Sequence, residues 1–407
     1  MHSNISLPGL EEFRIKKSKE QAGVFHIHLE LGIKSHECPE CHAETEKVHD
    51  YRIQKIQHTK IFARETRIFY AKRRYRCSAS ACGKRFYEQN SLVSRYQRQS
   101  KAFKQAVALE LIHGKNFRDI ALRFNTSPTT IMRRFDEVGA SLLEETKTLP
   151  PIIAIDEYKG DAGGEKYQTL IADPIKRTPL EILPDRKKET VKAYLKKHGQ
   201  QVDMVVMDMS PSFKAAVDQA LGKPIVVADR FHFCRYINWA LERVKREEQK
   251  TFSTYDRKKC KRMKHVFHKK KEHLSEKQHW YLMRYLNLSE GLRKAYDLKE
   301  AYRIWFEEAK TLGYTDLSTL KEHLYDFYER VRTAEIPAFT KAIETFKNWQ
   351  KEILNSFAFD LHNGYIEGMN NQTKVIKRNA FGFRRFDRFR LKILLHHQYK
   401  HINTRVL

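Results

Sequence analysis

The segment between residues 150 and 230 constrains the fold most, because short apolar strands alternate there with helical patterns in one order. The apolar runs 152–155, 167–172, 180–183, 203–207 and 225–228 each have the length and composition of a buried strand. Helical patterns occupy 189–198 and the stretch that opens at Ser210-Pro211. The predicted order βββαβαβ is that of a ribonuclease H-like α/β domain.

Two of these strands end in an aspartate. Asp156 follows the first strand and Asp208 follows the fourth. In a ribonuclease H-like sheet these two strands are neighbours, so we expect the two carboxylates to meet at one edge, where they could share hard Mg²⁺ ions. Either aspartate taken alone is better explained as a turn residue after a strand.

A third carboxylate is expected on a helix near the end of the chain. From Tyr365 the apolar spacing is helical, and Glu367 lies about 100° around the helix from the buried position Ile366. The stripe that contains Glu367 also carries Asn371, Lys374 and Arg378. Such a stripe fits a metal ligand flanked by groups that hold DNA phosphates, but it also fits a solvated face with ion pairs.

Four of the six cysteines form two short pairs, Cys38/Cys41 and Cys77/Cys82. Two such pairs brought together supply the four thiolates of a structural Zn²⁺ site, and residues 60–76 have the strand-like pattern that could return the second pair to the first. Two disulfides are the alternative, which a chain of the cell interior disfavours. The nearby histidines His36, His42 and His49 leave the ligand set open, and Cys234 and Cys260 are expected to be plain thiols.

A three-helix pattern follows the cysteines. The first helix starts near Ser100 and ends at His113-Gly114, the second spans 117–124, and the third opens at Ser127-Pro128. This order predicts a helix-turn-helix whose third helix presents Thr129, Thr130, Arg133 and Arg134 to the DNA major groove. Three-helix units of this spacing also occur as plain packing modules.

The charge of the chain points to a polyanionic partner. The formal net charge is +27, and almost all of the excess falls in 51–100, 251–300 and 351–407. Three basic stretches interleaved with aromatic residues favour nucleic acid over an ordinary solvated surface. No apolar run approaches the ~20 residues of a membrane span, so we expect a soluble cytoplasmic protein associated with the nucleoid and with no membrane partner. Residues 232–357 show helical runs without a convincing strand, which predicts an all-helical insertion.

The motifs together resemble the DDE transposases of bacterial insertion sequences, most closely the ISL3 group. The resemblance rests on Ala154-Ile155-Asp156-Glu157-Tyr158, on Val206-Met207-Asp208-Met209-Ser210 and on Asp229-Arg230-Phe231-His232. It rests above all on the run from Asn363 to Asn371, with Gly364 and Glu367-Gly368, and on the trailing Ala380-Phe381-Gly382-Phe383. It covers nearly the whole chain.

The resemblance implies a multidomain α+β protein. Its parts are a zinc ribbon (1–95), a helix-turn-helix (96–148), a ribonuclease H-like catalytic domain in two pieces (149–236 and 357–407) and an all-helical insertion (237–356). It implies the catalytic triad Asp156, Asp208 and Glu367 with Mg²⁺ or Mn²⁺. It also implies structural Zn²⁺ at the four paired cysteines and DNA contacts at Asn371, Lys374, Lys377 and Arg378 in addition to the helix-turn-helix.

The expected activity is metal-dependent nicking and strand transfer by two-metal phosphoryl transfer. The expected partners are the terminal inverted repeats, target DNA and a second copy of the chain in at least a homodimer. One rival is a DNA-binding regulator that uses the α/β domain as a scaffold, which clustered and mutually repelling carboxylates disfavour. Another is a cellular nuclease of the same fold. His232 has two possible roles, either beside the metal ligands or as a structural residue that caps the sheet, and the structural role is favoured.

Overall fold

The computed structural model describes residues 7, 9–144, 146–361 and 363–400. The outer ends of the first and last predicted domains, 1–6 and 401–407, lie outside the described residues. The chain divides into two compact units: the first runs to Leu143 and takes in Asn379–Phe381 and the C-terminal end from Tyr399, and the second comprises Glu144–Arg378 and Gly382–Gln398. Within the described ranges, every helix is too short or too polar to span a lipid bilayer.

A β-sheet forms the first part of the first unit. Its strands, with a small separate pair, are β1 (Phe13–Gln21), β2 (Val24–Leu31), β3 (His36–Glu37), β4 (Glu44–Thr45), β5 (Val48–Ile61), β6 (Arg64–Arg76) and β7 (Arg85–Tyr87). The sheet order is β1-β2-β6-β5, with β7 also on β6, while β3 and β4 pair only with each other. The long β5–β6 hairpin is the return path that residues 60–76 predicted, because it carries Cys77 back towards Cys38.

Three helices follow in the same unit, as the sequence predicts: α1 (Lys101–His113), α2 (Phe117–Arg123) and α3 (Pro128–Leu142). The predicted start signals are in place, since the hydroxyls of Ser100 and Ser127 cap α1 and α3 and Pro128 is the first residue of α3. The buried side chains Phe103, Ile120, Ile131 and Phe135 join the three helices.

The second unit contains the other large sheet. Its elements are β8 (Ile152–Tyr158), β9 (Gln168–Asp173), β10 (Thr178–Leu183), α4 (Lys188–His198), β11 (Met204–Met207), α5 (Pro211–Leu221) and β12 (Ile225–Ala228). The order in space is β10-β9-β8-β11-β12. Strands β8, β11 and β12 are parallel, while β9 runs antiparallel to β8 and β10. The predicted succession of strands and helices is therefore present.

Helices alone fill the described residues 230–358. They are α6 (Arg230–Glu248), α7 (Thr254–Arg262), α8 (Lys264–His268), α9 (Glu276–Leu288), α10 (Glu290–Leu312), α11 (Leu317–Ala334), α12 (Pro337–Asn348) and α13 (Gln350–Ala358), with a 3-10 turn at Lys271–His273. Two more helices, α14 (Gly364–Asn379) and α15 (Phe386–Gln398), follow.

The sheet of the second unit has a core on each face. Ile153 and Ile155 of β8 belong to the core that contains α4, α5 and the helices after β12. Ala154 and Tyr158 belong to the opposite core, which contains Ile366 of α14 together with residues of α15. Since side chains alternate between the faces of a strand, Asp156 lies on the α14 side.

Candidate functional site

Asp156 and Asp208 lie next to each other near the carboxyl ends of two parallel strands. Asp208 follows β11 as predicted, whereas β8 continues to Tyr158, so Asp156 lies within the strand and not after it. In the pairing of β8 with β11, Ile155 lies opposite Met207. Asp156 follows Ile155 and Asp208 follows Met207, so the two aspartates are neighbours across the strands. Val206 of β11 shares the core on the α14 side, and strand alternation places Asp208 on that side too. The two carboxylates are therefore on one edge and one face of the sheet, as the sequence predicts.

These two carboxylates are half-buried and repel each other. Burial raises the pKa of Asp156 to about 7, and the charges of Asp208 and Asp229 add to this against the opposing effects of the Glu157 amide and His232. Burial likewise raises the pKa of Asp208, with contributions from Glu157 and Asp229. In addition, Oδ1 of Asp208 is buried and has no hydrogen-bond partner in the part of the chain that the structure describes. The cluster thus favours a proton or a cation.

Asp229 and His232 complete this edge of the sheet. Asp229 follows β12, and its Oδ2 lies 2.8 Å from Nδ1 of His232. Burial alone would lower the pKa of His232, but the hydrogen bond to Asp229 and the charges of Asp229, Asp208 and Asp156 raise it. The imidazole therefore lies within electrostatic reach of both candidate metal ligands.

Helix α14 is attached to the same edge by two polar contacts. Asn370 is buried, and its Nδ2 donates a hydrogen bond of 2.7 Å to Oδ2 of Asp156. The backbone N–H of Asn363 donates to Oδ1 of Asp229 at 3.2 Å. Since residues three apart lie on neighbouring positions of a helix surface, Glu367 sits one turn before Asn370, near this contact.

The structure does not bring the carboxylate of Glu367 into a closed cluster with the two aspartates. Glu367 is exposed, whereas Asp156 and Asp208 are half-buried. Among the described residues, only the four cysteines discussed below have potential ligand atoms that all lie within 4.8 Å of one another. The assignment of Glu367 as third metal ligand stays a prediction.

The basic residues of α14 differ in how free they are. Asn371, Lys374 and Arg378 are exposed, as expected for groups that could contact DNA. Lys377 is engaged differently, because its Nζ forms a 2.8 Å ion pair with Asp161. Lys377 is therefore held against its own protein in this structure.

The four paired cysteines converge. Cys38 and Cys41 lie in the turn between β3 and β4, while Cys77 and Cys82 lie between β6 and β7. The Sγ atoms of Cys38 and Cys82 are 3.8 Å apart and those of Cys41 and Cys77 are 3.4 Å apart. Four sulfurs at about 2.3 Å from a tetrahedral Zn²⁺ would be separated by roughly 3.8 Å.

The four cysteines are free thiols and form no disulfides. Among the residues that the structure describes, no histidine joins their cluster. His36 instead packs against the ring of Tyr75, and His42 pairs with Glu37. The cluster suggests structural zinc held by cysteines alone.

The third helix of the helix-turn-helix presents part of the predicted surface. Thr129 and Arg133 are exposed, while Thr130 and Arg134 are half-buried. Arg134 is held by Glu137 at 2.5 Å and by the side-chain oxygen of Gln99 at 3.0 Å. Arg133 is thus the freer of the two arginines.

Comparison with known protein families identifies the chain. Residues 153–393 match the ISL3 model described as a transposase. The chain belongs to the ISL3 family of transposases. Residues 34–82 of this transposase match the zinc finger of the IS204/IS1001/IS1096/IS1165 transposases, and residues 88–139 match the helix-turn-helix domain of transposase family ISL3. The zinc ribbon, the DNA-binding helix-turn-helix and the transposase domain predicted from sequence are therefore confirmed.

Two similar proteins carry different names, and the one that aligns with nearly the whole chain is a transposase. The transposase for insertion sequence element IS1001 of Bordetella parapertussis is 26% identical over 391 residues, which cover 93% of each chain. A protein named as an ATP-dependent protease from Lactococcus lactis subsp. lactis is 30% identical over 131 residues, which cover 32% of this transposase and 38% of that protein.

Three polar residues lie at the sheet edge of Asp156 and Asp208 without a role predicted from the sequence: Asn363, Asn370 and Asp229. Asn370 carried a signal, because it falls on the buried stripe of α14 that also contains Ile366 and Thr373. A polar amide in such a stripe needs a hydrogen-bond partner. The identity of that partner, 214 positions earlier in the chain, could not be read from the sequence.

Proposed function

We propose that this transposase binds the terminal inverted repeats of an insertion sequence and cleaves and joins DNA strands. The proposed catalytic residues are Asp156, Asp208 and Glu367. One observation carries the proposal. Two half-buried aspartates lie side by side at the carboxyl edge of the sheet, and the helix that bears Glu367 is hydrogen-bonded to one of them through Asn370. A scaffold without catalysis has no need of such mutually repelling carboxylates.

The fold around this edge supports the proposal. The sheet order β10-β9-β8-β11-β12, with β9 antiparallel, agrees with a ribonuclease H-like catalytic domain. In that domain α14 returns to the sheet after the helices of 230–358, which we interpret as an all-helical insertion between the second and third acidic residues.

The donor set fits a hard divalent cation such as Mg²⁺ or Mn²⁺. Carboxylate oxygens are its preferred ligands, and such a cation would offset both the burial and the neighbouring negative charges that raise the pKa of Asp156 and Asp208. Oδ1 of Asp208, buried without a described partner, is an available ligand atom. When bound, such ions supply Lewis-acid activation of the attacking hydroxyl and neutralise charge on the phosphate.

The residues of the chain do the remaining work. Asn370 holds the Asp156 carboxylate in one orientation, and Asp229 orients His232 beside it. The exposed amide and cations of α14, Asn371, Lys374 and Arg378, are placed to hold the DNA backbone on the helix that carries Glu367. Water attacks in the first step and the freed 3′-hydroxyl in the second, so no covalent enzyme intermediate is required.

The first unit would select the DNA. We propose that the four cysteines bind Zn²⁺ and that α3 reads the repeat through Thr129 and Arg133. Two transposon ends must be joined in one reaction, so the working complex would contain at least two copies of the chain.

The deciding experiment is metal-dependent cleavage of DNA that contains an end of the element. Wild type should nick the end with Mg²⁺ or Mn²⁺, and the variants Asp156→Ala, Asp208→Ala and Glu367→Ala should bind the DNA but not cut it. Asp203→Ala is the matched control, because Asp203 is exposed just before β11, away from the carboxyl edge. Cleavage by the three variants at the wild-type rate would remove the catalytic assignment.

Two other outcomes identify the rivals. Binding without cleavage in either metal would favour a DNA-binding regulator. Cleavage that shows no preference for repeat ends would favour a general nuclease with the same catalytic residues.

A further inference from the structure

The sheet of the first unit has one covered face and one open face. Ile27, Ile56, Ile68 and Tyr70 are buried in the core of the covered face. Side chains at the alternate positions of the same strands must then lie on the opposite face. We give the name open face to seven side chains on this opposite side: the exposed cations Lys17, Lys19, Lys55 and Arg67 and the half-buried rings His26, His28 and Phe69.

These side chains stand in two rows across the four strands. Strand register places Lys19 opposite His26 and His26 opposite Arg67. The next row places Lys17 opposite His28, His28 opposite Phe69, and Phe69 opposite Lys55. All four cations of the open face are exposed.

The rings between the cations are fixed by one another. The imidazole of His28 stacks on Phe69 with centroids 4.7 Å apart and ring planes at 9°, and His26 meets Phe69 at 5.2 Å. Nζ of Lys55 lies 5.9 Å from the centroid of Phe69. Partial burial is the largest cause that lowers the pKa of His28, and the nearby charges of Lys17, Lys19 and His26 lower it further. The second contribution agrees with a locally positive potential.

The acidic residues near this face are already engaged. Glu30 pairs with Lys16 at 2.8 Å and lies 3.7 Å from Arg73, while Glu65 accepts a 2.6 Å hydrogen bond from Asn125. By contrast, Lys17 and Arg67 form no ion pair with any residue that the structure describes. The open face therefore has uncompensated positive charge.

We propose that the open face binds the DNA backbone as a second contact surface beside the helix-turn-helix. A polyanion is the complementary partner of four exposed cations, and a second copy of the same face is disfavoured because like charges would oppose each other. The identity of the polyanion as DNA rests on the proposed end-binding function.

The open face is joined to the helix-turn-helix within one unit. The backbone of Gln57 in β5 accepts from the N–H of Ser100 at 3.0 Å and donates to the carbonyl of Arg98 at 2.9 Å, and Ser100 caps α1. A cleft of about 530 Å³ between the β5–β6 hairpin and helices α1 and α2 is lined by Lys55, Arg67, Arg98 and Arg123 among others. Basic side chains thus continue from the open face to the helices.

The dimensions suit several phosphates. Four strands about 4.8 Å apart span roughly 14 Å. Duplex DNA carries one negative charge per about 1.7 Å of axis, so about eight charges fall within that length. Contacts of this kind add affinity without sequence preference and strengthen the salt dependence of binding.

The test is the salt dependence of binding to end-containing duplex DNA in EDTA, followed by fluorescence anisotropy. Two double variants, Lys17→Gln/Lys19→Gln and Lys55→Gln/Arg67→Gln, each remove two cations of the open face. The slope of log K against log salt is negative, and loss of one phosphate contact reduces its magnitude by about 0.9, so each double variant should reduce the magnitude by up to about 1.8. The matched control is Lys321→Gln/Lys341→Gln, which removes two exposed lysines of the second unit.

Zinc content and thermal unfolding verify that each variant is folded, and the Lys17/Lys19 pair on the edge strand β1 provides the least disruptive case. Slopes equal to wild type in both open-face variants, or an equal decrease in the control, would overturn the proposal. So would a decrease only on single-stranded DNA.

The outcome is independent of catalysis. If the slopes are less steep in the variants but the protein never cuts DNA, the open face is upheld and the proposed reaction is removed. If cleavage is normal but the slopes are unchanged, the open face is overturned and the proposed reaction stands.

Discussion

The contact between Asn370 and Asp156 gives the sharpest prediction about the site. We expect Asn370→Ala to slow DNA cleavage and to raise the Mg²⁺ concentration needed for half-maximal rate. The physical reason is that the amide donates the 2.7 Å hydrogen bond that orients Oδ2 of Asp156. Asn370 does not touch the reacting atoms in this account and acts as a positioning residue.

The magnitude follows from the bond. A hydrogen bond to a charged group contributes about 1.5–3 kcal/mol, and a factor of ten in rate corresponds to about 1.4 kcal/mol. Loss of this bond should therefore slow cleavage by about 10- to 150-fold. DNA affinity in EDTA should stay at the wild-type value, because the bond is not part of a DNA contact.

Asn370→Asp should be more damaging than Asn370→Ala. Two carboxylates 2.7 Å apart would repel by about 6 kcal/mol at an effective dielectric constant of about 20. Burial already raises the pKa of Asp156 to about 7, so the pair can keep a shared proton near neutral pH at almost no cost. A shared proton competes with the metal, and the apparent metal affinity should fall further.

The assay is single-turnover cleavage of end DNA across a Mg²⁺ titration, with thermal unfolding as a check on folding. Gln372→Ala is the matched control, since this exposed amide of the same helix bonds His396 instead. If Asn370→Ala cleaves at the wild-type rate with the wild-type Mg²⁺ requirement, the positioning role of Asn370 is wrong.

Three further predictions address the other sites. Cys38→Ser should abolish stoichiometric zinc in metal analysis and lower the unfolding temperature of the first unit, while Cys234→Ser, which lies outside the cluster, should retain zinc. Arg133→Ala should weaken binding to repeat DNA in anisotropy measurements by more than Arg134→Ala does, because Arg134 is held by its own protein. Asp208→Asn should stabilise the metal-free protein in EDTA at pH 8. Because burial raises the pKa of Asp208, the protonated carboxyl stabilises the folded state at pH values below its ordinary pKa of about 3.8. This stabilisation is lost as the pH rises through the raised pKa of the folded state. Urea unfolding at pH 8 should therefore show that the variant is more stable than wild type, and the difference should be absent near pH 3.

Local signals in the sequence predicted local structure well. Ser100 and Ser127-Pro128 marked the starts of α1 and α3 because capping hydroxyls and a first-turn proline act within three or four residues. The strands of the second unit were predicted because buried strands need continuous apolar runs. The end of β8 shows the limit of such local signals, since the apolar run 152–155 predicted an end before Asp156 and the strand continues to Tyr158.

Pairings between distant segments were not predictable in the same way. Strand β1 contains the polar run Lys16-Lys17-Ser18-Lys19-Glu20, which carries no burial pattern, yet it pairs along its length with β2. The parallel pairing of β2 with β6 joins segments about forty residues apart. Such pairings depend on the whole sheet, so the open face could not be recognised from the sequence.

The different burial of the three acidic residues indicates how the site is assembled. Asp156 and Asp208 are placed by the register of two strands, and they carry the cost of mutual repulsion in the folded protein. Glu367 is exposed and lies on a helix whose attachment to this edge includes two hydrogen bonds, from Asn363 to Asp229 and from Asn370 to Asp156. Binding of metal and DNA would therefore change mainly the position of Glu367 and its helix, because the sheet already fixes the positions of Asp156 and Asp208. A change in α14 should then alter the metal requirement before it alters the fold, whereas a change in β8 or β11 should alter both.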